Sequence, residues 1–146
     1  PVRVVKTSKG GWWWGVGRRK TAVARVRIRP VKAGGEAKVI IQMTGKKTKP
    51  VDVYFCEERD RADAVSPLKA TGSLGKLEVI VRLDGGGYMG QAGAMKLGVA
   101  RALMGYDPST EPVLRAESML TRDSRDVERK KYGQAGARRR FQFSKR

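Results

Sequence analysis

Gly85, Gly87 and Gly90 stand in the spacing G-x-G-x-x-G, within Gly85-Gly86-Gly87-Tyr88-Met89-Gly90. Between a strand and a helix, glycines at this spacing let backbone N–H groups close on a phosphate at a helix N-terminus. The phosphate could belong to a dinucleotide or to a nucleic-acid backbone, and the same glycines also make a purely structural tight turn. A dinucleotide site calls for an acidic residue about 20 positions on, at the end of a second strand. Here that stretch is Ser109-Thr110-Glu111-Pro112, and Glu111 falls in a proline-flanked turn or helix start. The motif also comes late in a short chain, after its strands, and no residue set resembles a substrate site. A glycine turn can hold an RNA backbone as readily as a pyrophosphate.

Other chemistries are removed by composition. The chain has no histidine and a single cysteine, Cys56. Zinc sites of the usual Cys/His kind cannot be built, nor can a Ser-His triad or a histidine general base. A lone cysteine forms no internal disulfide and suits a reducing compartment, where Cys56 reads as a small, partly buried apolar residue. No cofactor is expected. No apolar run reaches the length of a membrane-spanning helix, and the opening residues lack the apolar stretch of a secretory signal.

The cations are abundant and segregated. The formal net charge is +18. Residues 1–29 contain nine Lys/Arg and no Asp/Glu, residues 129–146 contain eight and none, and the middle is close to neutral. Ends of this kind repel themselves and need a polyanion, for which nucleic acid is the usual partner. Solubility alone is a poorer explanation, because a soluble surface normally mixes signs. Arg18, Arg19 and Lys20 sit on what reads as a glycine-flexed turn over residues 15–20. Toward the C-terminus come Arg129-Lys130-Lys131-Tyr132, Arg138-Arg139-Arg140 and Lys145-Arg146. Arginine's planar fork binds two phosphate oxygens at once. Tyr132, Phe141 and Phe143 are interleaved with these cations and can stack on bases or sugars.

The elements that position these groups follow from periodicity. Residues 21–29 alternate, with Ala22, Ala24, Val26 and Ile28 on one face and Arg25, Arg27 and Arg29 on the other, which predicts a half-buried strand. Residues 37–43 and 77–83 predict two more strands. Residues 44–50 read as a basic loop, and residues 51–55 as a short strand or a helix start. A helix is expected over residues 57–64, interrupted at Ser66-Pro67. The clearest helix covers residues 91–104, with Ala92, Met95, Val99 and Leu103 on one face and Gly105 as its stop. A short helix over 111–119 is capped by Asp107 or Ser109. Three consecutive tryptophans, Trp12–Trp14, cannot all face one side of a strand; core and rim packing is expected for two, and a base-stacking role is an alternative for the third.

From Leu120 apolar content collapses, and the remaining 27 residues, if extended, span roughly 90 Å. The expected organisation is a basic N-terminal arm (1–14), a globular RNA-binding domain (15–119) and an extended basic tail (120–146). The domain is a single small α/β (α+β) unit, a mixed sheet with helices packed on it.

Three stretches carry a resemblance: G-V-G-R-R-K-T-A-V-A-R-V at 15–26, G-G-G-Y-M-G-Q-A-G-A at 85–94 and L-T-R-D-S-R-D-V-E-R-K-K-Y-G at 120–133. Together with the ending Q-F-S-K-R, they resemble the bacterial-type small-subunit ribosomal protein nine family in order and spacing. The resemblance implies a ribosomal S-five domain-two-like fold with a left-handed β-α-β crossover, against the usual right-handed rule. It implies a structural, non-enzymatic constituent of the ribosome, in the bacterial cytoplasm or an organelle, that takes part in translation. Its partners would be small-subunit rRNA in the head, neighbouring head proteins and the peptidyl-site tRNA. The rRNA contacts it implies are Arg18, Arg19, Lys20, Gly85, Gly86, Gly87, Gln91, Arg122, Arg125, Arg129, Lys130, Lys131, Tyr132, Arg138, Arg139 and Arg140. The terminal Lys145 and Arg146 would reach the tRNA anticodon arm. The chain departs from the family in its three tryptophans, where tyrosines are frequent, and in Arg140-Phe141, where an Ala-Pro pair is common. Gln134-Ala135-Gly136 replaces a stretch that is often more basic, and residues 32–49 are longer than usual. A free-standing nucleic-acid chaperone is the alternative that the same charge supports, and a nucleotide-dependent enzyme is a third reading.

Overall fold

A computed structural model describes residues 10–145. Five strands form one mixed sheet in the order β1-β2-β5-β3-β4. They are β1 (Trp13–Arg19), β2 (Ala22–Pro30), β3 (Val39–Gln42), β4 (Thr48–Pro50) and β5 (Leu77–Asp84). The helices are α1 (Val51–Tyr54), α2 (Glu58–Ala70), α3 (Tyr88–Tyr106) and α4 (Glu111–Ala116). β1, β2 and β5 are antiparallel neighbours, while β3 runs parallel to β5, which the chain reaches from β3 and β4 through the α1–α2 crossover. This is the mixed sheet with packed helices that the alternation of residues 21–29 and the 91–104 periodicity predict.

The core lies between the sheet and α3. Ala22, Ala24, Val26 and Ile28 of β2, with Val79 and Val81 of β5, are all fully buried against Met95, Val99 and Leu103 of α3. Removing each such aliphatic side chain from water contributes about 1.5–3 kcal/mol for the larger residues. Beyond the expected apolar stripe, Leu97 and Ala100 are buried too, because α2 packs on α3 from another side.

The stretch expected to be a turn, residues 15–20, is instead most of β1. Its reversal is a two-residue turn at Lys20 and Thr21, between Arg19 and Ala22, which are paired in register. The glycines there serve packing rather than flexure. A Cβ on Gly17 would stand 1.9 Å from the Ala94 carbonyl oxygen, and one on Gly15 2.3 Å from that of Gly98. β1 thus lies backbone against backbone on α3, over the small residues Ala94, Gly98 and Ala102, which recur every four positions on one helix face.

Other elements also differ from expectation. α2 runs through Ser66-Pro67 without interruption. Proline supplies no N–H to the carbonyl four residues back, here that of Asp63, but the Ser66 hydroxyl donates to that carbonyl at 2.8 Å. Pro67 is itself fully buried. α3 begins at Tyr88, three residues ahead of expectation, and passes Gly105 to end at Tyr106. The basic loop before α1 contains a turn and the short edge strand β4, residues 51–55 resolve as a helix start, and α4 ends at Ala116. Cys56 is exposed rather than partly buried, because it lies in the turn between α1 and α2. The tryptophans divide three ways. Trp13 faces inward and meets Tyr106 edge-on at 4.8 Å, Trp12 lies under Arg27 and Arg29, and Trp14 points outward. Residues 121–145 carry neither helix nor strand.

Candidate nucleic-acid interface

The β1–β2 turn, the glycine loop and the first turns of α3 meet in one place. Gly85 and Gly86 take left-handed φ values of 72° and 67°, and a Cβ on either would press on the Thr21 carbonyl or on Ala22. Both therefore have to be glycine for the loop to close on the hairpin. Gly87 precedes α3 in extended conformation, and nothing stands within 4 Å of where its Cβ would be. Arg18, Arg19 and Lys20 are thereby held beside the N-terminus of a 19-residue helix whose first turn has no acidic side chain. Such an end carries partial positive charge and unpaired N–H groups.

Gln91 is committed within the protein. Its side-chain amide donates to the Gly85 carbonyl at 3.0 Å, and its side-chain oxygen accepts from the Tyr54 hydroxyl at 2.5 Å. Burial pushes the Tyr54 phenol above its ordinary pKa, and nearby Tyr88 pushes the same way. Gln91 thus fixes the glycine loop to α3 and α1.

A cleft of about 270 Å³ opens beside this junction. Arg18, Arg19, Arg59, Lys96 and Arg125 line it, with Asp63 and Asp123 as the only carboxylates. A second cleft of about 420 Å³ continues it along Arg19, Lys20, Arg59 and Arg125. Four sequence-distant segments therefore bring cations together: the β1 end, α2, α3 and the start of the tail. Arg59 and Lys96 were not among the sequence candidates. Arg59 stands in an acidic-looking run, and Lys96 on a helix whose pattern spoke only for its core face.

Arg19 is placed by a glycine. Its side chain crosses α3 at Gly93, where a Cβ would stand 2.3 Å from Arg19 Cδ. Its guanidinium ends 3.8 Å from the Asp123 carboxylate. Arg125 chelates the same carboxylate at 2.7–3.0 Å and also donates its backbone N–H. These hydrogen bonds, with the Arg125 and Arg19 charges, hold the Asp123 carboxyl well below the usual range. Asp123 therefore stays ionised and pins the start of the tail to β1.

Further along, the candidates are not gathered into that cleft. Arg138 pairs with Glu128 at 2.7 Å, and Lys131 approaches Glu128 at 3.6 Å and donates to the Ala137 carbonyl. Residues 128–139 thus form a closed loop instead of a uniformly extended run. The Arg138 hydrogen bond, with its charge, pushes the Glu128 carboxyl down to about 2. Arg122, Lys130, Arg139, Arg140 and Lys145 are exposed and have no carboxylate partner among the described residues; Arg129 is exposed and donates to the Lys130 carbonyl. Tyr132 is 95% exposed. Arg146 lies outside the described residues.

Among the described residues no group of three Cys, Asp or Glu side chains could hold a metal ion. Glu111, the nearest acid at dinucleotide spacing, is paired with Arg115 at the start of α4, where a ribose-binding acid would end a strand. No helix of the described residues is long and apolar enough to cross a membrane.

A mixed sheet with helices on one face, and a cation-lined cleft where hairpin, helix and tail converge, is the anatomy of a basic α/β domain suited to a polyanion. Residues 17–146 match the model of the family described as Ribosomal protein S9/S16. The chain is 51% identical over 134 residues to the small ribosomal subunit protein uS9 of Thermotoga maritima, covering 92% of this chain and 96% of that one. It is 49% identical over 131 residues to that of an Anaeromyxobacter species (90% and 94%), and 48% over the same length to that of Chlorobium limicola (90% and 95%). The chain belongs to the ribosomal protein S9/S16 family.

Proposed function

We propose that the chain is a structural constituent of the small ribosomal subunit, acting in translation on bacterial cytoplasmic ribosomes without catalysis. In this reading it binds small-subunit rRNA in the head, beside neighbouring head proteins. The observation that carries it is the convergence of Arg18, Arg19, Lys20 and Arg125 with Arg59 and Lys96 along two adjoining clefts, in a chain of this family. The glycine loop offers backbone N–H groups beside those cations, and the tail supplies Arg122, Arg129, Lys130, Lys131, Tyr132, Arg138, Arg139 and Arg140 as further phosphate and stacking contacts. Lys145 and Arg146 reach the anticodon arm of the peptidyl-site tRNA, holding it by phosphate contacts.

The test is co-sedimentation of the tagged protein with small subunits through a high-salt wash. Retention is expected for a protein buried in folded RNA. Release into the free fraction is the behaviour of a chaperone or coating protein, whose electrostatic binding loses several decades of affinity with added salt. Removing Lys145 and Arg146 is expected to leave assembly intact and to weaken retention of peptidyl-site tRNA. Unchanged tRNA retention would reject that assignment.

A further inference from the structure

The sheet has two chemically different faces. Ala22, Ala24, Val26 and Ile28 line the face under α3 and are fully buried. The opposite face carries Trp14, 54% exposed, and Val16, 40% exposed, beside exposed Arg25 and Arg82. Its side chains stand in cross-strand rows. Trp14 is opposite Arg27, Arg27 opposite Ile80, and Ile80 opposite Ile40. In the next row Val16 is opposite Arg25, Arg25 opposite Arg82, and Arg82 opposite Gln42.

Two features of these rows point to a ligand. Arg25 and Arg82 face one another directly across β2 and β5, where like charges repel. Both lean on a single carboxylate, Asp84, at 3.3 and 3.7 Å. One carboxylate leaves a guanidinium pair with net positive charge and open donors. In the neighbouring row the Arg27 guanidinium lies over two indoles, 4.8 Å from the Trp12 ring centre and 5.8 Å from that of Trp14, and has no carboxylate partner among the described residues. An aromatic surface and a cation pair thus sit one row apart, about 6.8 Å along the strand.

We infer that this open sheet face is a second RNA-binding surface, which takes unpaired nucleotides of a single strand. A base stacks on the Trp14 indole and an adjacent phosphate lies on the Arg25–Arg82 pair. Stacking selects single-stranded RNA, because only splayed bases reach an aromatic side chain, while a duplex offers its backbone and 2′-hydroxyls. The net positive charge selects a polyanion over a protein partner. The inference rests on the RNA-binding reading above but uses residues that line neither cleft.

All three tryptophans of the chain are at positions 12–14, so indole emission reports on this region while the clefts and tail contribute none. The experiment titrates the full-length protein with a short oligouridine. It follows tryptophan emission and, separately, the anisotropy of a labelled copy of the same oligonucleotide. Emission is expected to fall as the RNA saturates. Trp14→Ala is expected to weaken binding by on the order of 5-fold to 100-fold, and Trp14→Phe to recover most of it. Arg25→Gln with Arg82→Gln is expected to lower the salt dependence by about 0.7, one phosphate on a single strand. Matching thermal melts check the fold, and the arginine pair carries the test if Trp14→Ala does not fold. Binding by anisotropy with unchanged emission and a normal Trp14→Ala variant overturns the inference and leaves the RNA reading standing. No binding by either readout overturns the inference, while retention on small subunits through the high-salt wash separately decides the rRNA reading. If Trp14→Ala binds oligouridine normally but is lost from small subunits, the face belongs to a protein neighbour and the inference is wrong.

Discussion

β1 and the tail beyond Arg129 both belong to basic ends of the chain, yet the fold treats their charge in opposite ways. In β1, two glycines let the strand lie on the α3 backbone, so Arg18 and Arg19 leave from fixed points and converge with Arg59 and Lys96. In the tail, Arg138 and Lys131 are held by Glu128 and a carbonyl, and Lys130, Arg139 and Arg140 are exposed with no carboxylate partner among the described residues. The total charge says that a polyanion is wanted. The small residues decide where that charge is placed in advance of binding. Cations already in position lose little freedom when a phosphate arrives, whereas those of a solvated segment have to be ordered at that moment.

The largest expected effect separates the two regions by their glycines. Gly17→Ala drives a methyl group into the Ala94 carbonyl, backbone against backbone. Neither side can yield without parting β1 from α3, and the expected loss is about 3 kcal/mol in urea unfolding. In the tail, Gly136→Ala meets Arg139 Cβ at 3.6 Å, an ordinary contact. Its expected effect is within about 0.5 kcal/mol. Similar losses at the two positions would mean that β1 is not seated as described.

A subtler change converts a positioned cation into an unpositioned one. Gly93→Ala puts its Cβ against the stem of Arg19, a flexible side chain that can swing aside. Thermal stability is expected to hold or rise, since alanine is preferred to glycine in a helix by about 1 kcal/mol. Arg19 would leave Asp123 and the cleft, and the salt dependence of RNA binding is expected to fall by about 0.7–0.9, one phosphate contact. An unchanged salt slope would show that Arg19 contributes no contact from this position.

These contrasts also explain what the sequence made legible. Strand β2 was readable because its two faces differ sharply, alanines and branched residues against arginines. The face of α3 toward the sheet was readable from its 3.6-residue period. β1 was not, because the signal for a strand is side-chain alternation, and Gly15 and Gly17 contribute none. Their role is visible only once α3 is opposite. Pro67 read as a break because the hydrogen bond that the Ser66 hydroxyl donates to the Asp63 carbonyl depends on a helix already being formed. The charge asymmetry located the cations of the turn and tail. It did not show that Asp123, 104 residues from Arg19, would pin one to the other, since chain spacing is silent about such pairs.

The smallest expected effect concerns the clasp that closes the tail loop. Glu128 has an ordinary carboxyl value of 4.5, and the Arg138 guanidinium brings it down to about 2. A lowered value means that the ionised form is the one stabilised, so the clasp is fully present above the ordinary value and is lost as pH falls through about 2. Both groups are exposed, and the pair contributes little to global stability. The readout is therefore the side-chain carboxyl chemical shift of Glu128 across an acid titration. A midpoint near 2 is expected in dilute buffer, moving up toward 4.5 as added salt screens the pair. A midpoint already at 4.5 in dilute buffer would mean that the clasp is not populated. Bound RNA sharpens the comparison with β1. If a phosphate takes Arg138 from Glu128, the midpoint rises at constant salt, because the carboxylate loses its cation and gains an anionic neighbour. The Arg138 that reaches RNA is then one that exchanged a carboxylate for a phosphate, whereas Arg18 and Arg19 enter the cleft from a strand fixed before any RNA arrives.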